Sequence, residues 1–269
     1  FLSEASIKNL IFDSEPNATL QTLGKTITEQ EWNAATTLRE PNTGWVDPST
    51  IPYDNARLEN NTTTGKDQFF LVKKGETVIA KYSNLENSSY AGTKLGGVEY
   101  ALTLTELSGP NDYVALQLFS DPTVTTYTHT WDTTSVYRSA FNWHVDVKFY
   151  DENGNIVSPS SEDPTIITFA SINSKDGLGE YVKNFSGDFV SINGSAITAA
   201  GNKATNYSSQ EIEAKAKEQG STDGTWDDVN SPYAYVGAIG GKATSNISFD
   251  FGNTEGFAYW FAFNTKTSV

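Results

Sequence analysis

The sequence predicts a mainly β fold: a two-sheet antiparallel β-sandwich with two short flanking helices. Three observations predict it. Short runs in which apolar and polar residues alternate are spread over the whole chain, turn-forming residues separate them, and no strand–helix–strand rhythm of a parallel sheet occurs. Composition agrees, with 13% aromatic residues (15 Phe, 13 Tyr, 6 Trp) in a background rich in Thr, Ser, Asn and Gly, the mix of strands joined by polar turns. A sandwich of this type reaches 269 residues as one unit, so a single domain over residues 1–269 is expected.

The clearest strand runs from Phe141 to Phe149. Phe141, Trp143, Val145, Val147 and Phe149 alternate with Asn142, His144, Asp146 and Lys148, which puts five apolar side chains on one face and places this strand in an inner sheet. Asp151-Glu152-Asn153-Gly154 follows, and Asn-Gly supplies the positive φ angles of a tight hairpin, so the next strand should return antiparallel. Further period-two runs are Val98/Tyr100/Leu102/Leu104, Val114/Leu116/Leu118, Ile247/Phe249/Phe251 and Tyr259/Phe261/Phe263. Gly75, Gly92, Gly96-Gly97, Gly109-Pro110, Asn193-Gly194 and Gly240-Gly241 read as the turns between them. Two capping boxes mark the helices: Thr28 with Glu31 ahead of Gln30 to Leu38, and Ser208 with Glu211 ahead of Gln210 to Gln219, closed by Gly220. At about 10 residues each they are too short to stand alone and should flank the β scaffold. Asn60 to Gly65 has nothing to bury and reads as a loop.

Several chemistries are excluded or narrowed by counting. There is no Cys, which removes disulfides, thiolate metal sites and cysteine nucleophiles and fits an oxidising exterior. No apolar run approaches the roughly 20 residues that span a bilayer, so no membrane insertion is expected. With Phe at position 1 and no Met, the chain is expected to be a piece of a longer protein. Its 33 acidic and 18 basic residues give −15, a charge that repels phosphate backbones and anionic lipids and suits neutral sugars, cationic partners or Ca²⁺. The same charge also serves plain solubility.

Catalytic signals are weak. His129 and His144 are the two histidines, and no nucleophile elbow, zinc-binding helix motif or P-loop is present. Paired carboxylates for glycoside hydrolysis stay open, since 33 acidic residues always offer pairs; such an enzyme needs one carboxyl with a raised pKa in a cleft. Asp151-Glu152-Asn153-Gly154-Asn155, with Glu162 at the twelfth position, imitates a Ca²⁺ loop but has Ile156 where that loop needs Gly. The cluster Asp223 to Asp228 offers oxygen ligands to a hard cation, or is simply a solvated loop.

The most informative stretch is Trp226 to Ala238, where Trp226, Asp227, Asp228, Asn230, Tyr233 and Tyr235 crowd a loop that enters a strand. An apolar ring takes the C–H face of a pyranose while carboxylates and amides take its hydroxyls, so this mix suits sugar recognition. The alternative role for Trp226 is to anchor the loop to the core.

Blocks in order along the chain carry a resemblance. Leu10 to Ala18, Glu76 to Leu107, Ser120-Asp121-Pro122-Thr123, Phe149-Tyr150-Asp151, Phe169 to Asn173, Glu180 to Gly194, Trp226-Asp227, Ser231-Pro232, Tyr235 to Ala238 and Trp260 to Asn264 resemble the glucan-binding protein C family. That family includes the antigen I/II variable domains and the adhesin domains of aggregation substances. The chain looks shorter between blocks than the antigen I/II domains. The resemblance implies a lectin-like sandwich with loops over a cleft, on a protein anchored to the cell wall, extracellular, and binding glycans, host glycoproteins or other bacterial surface proteins. It implies no catalytic residue and no obligatory cofactor, with Ca²⁺ the candidate ion for the cleft, and its aggregation-substance branch is associated with DNA, a partner poorly suited to −15. Trp226, Asp227, Pro232, Tyr233 and Tyr235 match the cleft-side loop, and Asp121 begins the loop after an inner strand. Trp226 and Tyr233 are then the expected ring platforms, with Asp121, Asp227, Asp228 and Asn230 as polar or cation-binding partners. Removing the Trp226 ring should abolish binding at little cost in stability. The rival readings are a carbohydrate-active enzyme on the same sandwich, a DNA-binding module, and a spacer without any concave site.

Overall fold

The strand predicted most clearly lies in the middle of the larger of two sheets. In the computed structural model, which describes residues 9–23, 67–108, 113–130, 139–175, 178–205, 209–227, 231–255 and 259–266, β9 (Phe141–Asp151) buries Trp143, Val145, Val147 and Phe149 and turns His144, Asp146 and Lys148 outward. It pairs with β6 (Thr93–Leu107) on one side and β18 (Ile247–Asn253) on the other, both antiparallel. The sheet continues beyond β6 through β5 (Ser89–Tyr90) to β1 (Leu10–Ile11), and beyond β18 through β13 (Leu178–Lys183), which also pairs with β12 (Ser174–Lys175), and β16 (Lys203–Thr205) to β15 (Thr198–Ala200). Off β6 hangs β4 (Thr77–Ser83), which carries β2 (Thr19–Leu23).

The second sheet runs β14 (Asp188–Val190), β17 (Ile239–Ala243), β11 (Thr165–Ala170), β19 (Tyr259–Asn264), β8 (Thr126–His129), β7 (Val114–Leu118) and β3 (Gln68–Val72), again antiparallel. It is this sheet, not the one holding β9, that is covered on both faces. Along β19, Tyr259, Phe261 and Phe263 join the sandwich core while Trp260 and Ala262 join a second buried cluster with Phe119, Val124, Tyr127, Ile192 and Ala238. Period two is thus kept, but both faces are apolar, as a doubly covered strand requires. The second cover is a layer of loops, and it includes the chain around residues 235–238.

Rings fill the space between the sheets. Phe249 of the larger sheet lies 5.0 Å from Phe169 and 5.7 Å from Phe263 of the other, and Phe251 stacks on Phe261 at 4.3 Å and 10°. Such pairs contribute about 0.5–1.5 kcal/mol each beyond the area they bury. Polar tips cross the same gap: Trp143 Nε1 donates to Thr128 Oγ1 at 3.1 Å, Tyr82 Oη to the Phe119 carbonyl at 2.6 Å and Tyr100 Oη to the Pro122 carbonyl at 2.8 Å. These bonds fix how the sheets face each other, which ring packing alone does less sharply.

Turns follow the expected chemistry with two corrections. At Asp151–Asn155, Gly154 alone has positive φ (81°), Gly154 N–H donates to the Asp151 carbonyl, and β10 (Ile156–Val157) returns along β9. This is a three-residue loop with glycine in the left-handed position, so Asn153 does not need positive φ. Ile156 opens a strand there, consistent with the rejected Ca²⁺ loop. Gly96-Gly97 and Gly240-Gly241 are not turns but lie inside β6 and β17. Close approach explains them: a Cβ on Gly241 would stand 2.7 Å from the Phe185 ring. The helix expected at Gln30 to Leu38, the Asn60 to Gly65 loop and Gly109-Pro110 lie outside the described residues.

Phe249→Ala, which removes a ring in contact with Phe169, Phe261 and Phe263, should cost about 3–5 kcal/mol in urea unfolding. Ile156→Ala, at a 60% exposed position, should change it by less than about 0.5 kcal/mol.

Candidate functional site

One α-helix, α1 (Ser209–Glu218), is found where the second capping box placed it; Ser208 itself lies outside the described residues. Ile212 and Ala216, one turn apart, are buried, and Glu213–Lys217 pairs at 3.5 Å on the outside. Gly220, at φ 114°, ends it: Gly220 N–H returns to the Lys217 carbonyl and Ser221 N–H to the Ala216 carbonyl, a Schellman closure. The chain then folds back over the helix end. Asp223 Oδ1 accepts Thr225 N–H at 3.0 Å and the Ser221 hydroxyl at 3.1 Å. The bond from Thr225 N–H holds the exposed Asp223 carboxyl below its ordinary range, so it is ionised at neutral pH.

Between this turn and the return at Ser231 lies an open hollow of about 500 Å³, lined by Gly220, Ser221, Asp223, Thr225, Pro232 and Tyr233 among others. Tyr233 is half-buried, packs one side against the core and reaches over Gly220, where a Cβ would stand 3.2 Å from its hydroxyl. Tyr235, in the 3₁₀ turn Ala234–Gly237, donates its hydroxyl to Gln219 Oε1 at 3.1 Å. Both tyrosines therefore brace the helix C-terminus, and only Tyr233 faces the hollow.

Trp226 is placed otherwise than expected. It is 7% exposed, belongs to the sandwich core, and lies so close to Gly237 that any Cβ there would overlap its ring. Its faces are occupied, so it anchors the loop and offers no platform. Asp121 is 1% exposed, and its carboxylate accepts Glu15 N–H, Thr123 N–H and the Thr123 hydroxyl; it does not line the hollow and ties the β7–β8 loop to the N-terminal segment. Asp228 and Asn230 lie outside the described residues. Asp227 is exposed at one edge and accepts the Ser171 hydroxyl.

A second feature had no marker in the sequence. Glu180 is nearly buried, its Oε1 accepting Asn173 N–H at 2.7 Å, and burial and then the Asp227 carboxylate push its pKa well up. The Tyr259 hydroxyl, buried under the field of the same two carboxylates, has no hydrogen-bond partner among the described residues. Among the described residues no three His, Asp or Glu side chains gather as metal ligands. The Glu180 and Asp227 carboxylates act on each other electrostatically, and the Ser171 hydroxyl donates to Asp227. An ordinary period-two glutamate in β13 gives no hint of this; only its depth does. The ring of His144 is engaged on the outer face of the larger sheet, with Asp250 at 2.7 Å and Asp146 at 3.4 Å.

An antiparallel sandwich with a layer of loops over one sheet, and an open hollow in that layer, has a lectin-like architecture. The chain belongs to the glucan-binding protein C family, whose model matches residues 1–264. It is 29% identical over 205 residues to an aggregation substance of Enterococcus faecalis, a match that takes in 72% of this chain and 15% of that protein. Among solved structures it is similar to the adhesin domain of PrgB from Enterococcus faecalis (26% identity, TM-score 0.68, 96% of this chain and 89% of that one). It is also similar to the glucan-binding protein C of Streptococcus mutans (25%, TM-score 0.70, 99% and 80%). These relatives are described by aggregation, adhesion or glucan binding, and none by catalysis.

A buried acid with a raised pKa favours folding in its neutral form. Its contribution is full below the ordinary Glu range and is given up as pH rises through the folded value. Glu180→Gln, which still accepts the Asn173 bond, should therefore raise Tm at pH 7 by roughly 2–4 °C, with the gain gone below about pH 4.

Proposed function

We propose that the domain is a surface adhesin module that captures a neutral glycan, free or carried on a glycoprotein, in the hollow beside Tyr233. The observation that carries this reading is the pairing of one half-buried ring with an ionised carboxylate and several hydroxyls around an open concavity. Tyr233 supplies an apolar face for a pyranose, and Asp223, Ser221 and Thr225 supply acceptors and donors for its hydroxyls. The Schellman closure and the Trp226 anchor pre-set that arrangement, so little ordering is needed on binding. Location on the outside of a cell, attached through other parts of a longer chain, follows the same reading, as does contact with host glycoproteins or other bacterial surface proteins.

Two other readings have one observation each. The PrgB adhesin domain has been seen bound to DNA, in a structure 24% identical to this chain; a net charge of −15 works against that partner here. Glu180, with its raised pKa near Asp227, has the protonation a glycosidase acid needs, but it does not line the hollow.

Titration calorimetry with isomaltotriose and maltotriose separates these. Saturable binding that weakens at least about tenfold in Tyr233→Ala, roughly 1.4 kcal/mol, with the sugar recovered intact, is the expected result. Trp226→Ala should instead lower Tm strongly, by about 3–5 kcal/mol of stability. Sugar cleavage supports the enzyme, and DNA binding that falls steeply with salt supports the nucleic-acid module.

A further inference from the structure

A groove of about 680 Å³ runs over the outward face of the larger sheet, across β2, β4, β6 and the β9–β10 turn. It shares no lining residue with the hollow beside α1. Its size lies within the roughly 300–1,000 Å³ of small-ligand sites.

The floor is bare backbone. Register between β6 and β9 shifts between Leu95 and Gly97, and the strands come so close there that a Cβ on Gly97 would stand 2.9 Å from the Tyr82 carbonyl and one on Gly96 3.1 Å from Glu152 Cα. No side chain can rise from this stretch. Directly across from Gly97 in the ladder is Tyr150, half-buried, with no hydrogen-bond partner for its hydroxyl among the described residues. A ring beside an empty glycine floor leaves room for a flat ligand lying against both.

The rim is polar and set by register. Gln21 faces Lys81, Lys81 faces Glu99 and Glu99 faces Lys148 across four successive strands. The ion pairs at the rim are long, Lys81–Glu99 at 3.8 Å and Lys94–Glu152 at 3.4 Å, both with half-exposed lysines; such pairs contribute little and can exchange partners at small cost. The Gln21 carboxamide has no partner among the described residues. Asn84, held at φ 59° with its Nδ2 on the Asn17 carbonyl, fixes the end of the groove. Four carboxylates (Glu86, Glu99, Asp151, Glu152) against two lysines (Lys81, Lys94) line it, so phosphates and acidic sugars are repelled while uncharged hydroxyls find donors and acceptors of both kinds.

We propose that this groove is a second saccharide site, taking a neutral di- or trisaccharide with one ring on Tyr150 over Gly96-Gly97 and its hydroxyls on Gln21, Lys81 and Glu99. Two separate sites on one domain let a single copy hold two glycan chains, which is cross-linking without any oligomer.

Isomaltotriose, then maltotriose, titrated into the ¹⁵N-labelled domain tests it. Amides of Gly96, Gly97 and Tyr150 should shift saturably below about 10 mM, independently of any shifts from Ser221 to Tyr233. Tyr150→Ala should erase the first group alone, and Gln21→Ala, at an exposed position, should weaken it at least about threefold. Dextran should then be clustered by the unaltered chain in light scattering and not by Tyr150→Ala. Absence of shifts at Gly96, Gly97 and Tyr150 with both sugars, or shifts indifferent to both variants, overturns the proposal. Shifts at the groove with none at the hollow would support it while removing the site beside Tyr233.

Discussion

The structure depends on a seam of stacked phenylalanines between two sheets that polar side chains hold in register. Phe249, Phe261 and Phe263 lie 5.0–6.3 Å from Phe169, and Phe251 stacks on Phe261 at 4.3 Å. Without Cys in the chain, no covalent link shares that load. Ring packing supplies most of the energy and tolerates sliding; Trp143, Tyr82 and Tyr100 remove the tolerance, because each carries a polar tip that must find its acceptor across a dry gap. Two of those acceptors are carbonyls of the 119–122 loop, so the same bonds that align the sheets also hold down the layer of loops over the second one.

That loop layer carries the hollow in which the proposed glycan site lies. A sheet buried on both faces gives its covering segments an apolar underside to hold, and the segment from Gly220 to Ala238 uses it, with Trp226 sunk into the core and Ala238 in the second cluster. The upper side of the segment is then free to be polar. Beneath it, the Glu180 and Asp227 carboxylates act on each other and on a Tyr259 hydroxyl that has no partner among the described residues. Burying Glu180 against the Asp227 charge costs stability at that point. The opposite face of the molecule differs in kind. There the groove is built on paired strands, so its shape is set by register and needs no loop to order.

Much of the frame was legible from spacing. Period two identified β6, β7, β9, β18 and β19, and the Ser/Glu spacing with Gly220 identified α1, because these patterns are local and each is enforced by one hydrogen-bonding geometry. Gly96-Gly97 and Gly240-Gly241 were misread as turns because a glycine needed for close approach looks the same in sequence as one needed for positive φ. That β19 is apolar on both faces was not read, since a period-two reading of Tyr259, Phe261 and Phe263 passes over Trp260 and Ala262 between them. The site was less legible. Trp226 and Tyr233 stand in one polar loop, and nothing in their neighbours tells which ring goes inward; Gly237, eleven residues on, decides it by leaving space for the indole. Asp121 drew notice through its block and proves to cap its own turn, while Glu180 became distinctive only once its burial was known.

Hydrogen–deuterium exchange of the free and dextran-bound domain tests the central claim, that a rigid sandwich presents a preformed loop hollow to a glycan. Slowed exchange should appear in residues 219–227 and 231–237, with β9, β18 and β19 slow in both states and unchanged. Protection spreading through those strands on binding, or no change in the loop at saturating dextran, would contradict it.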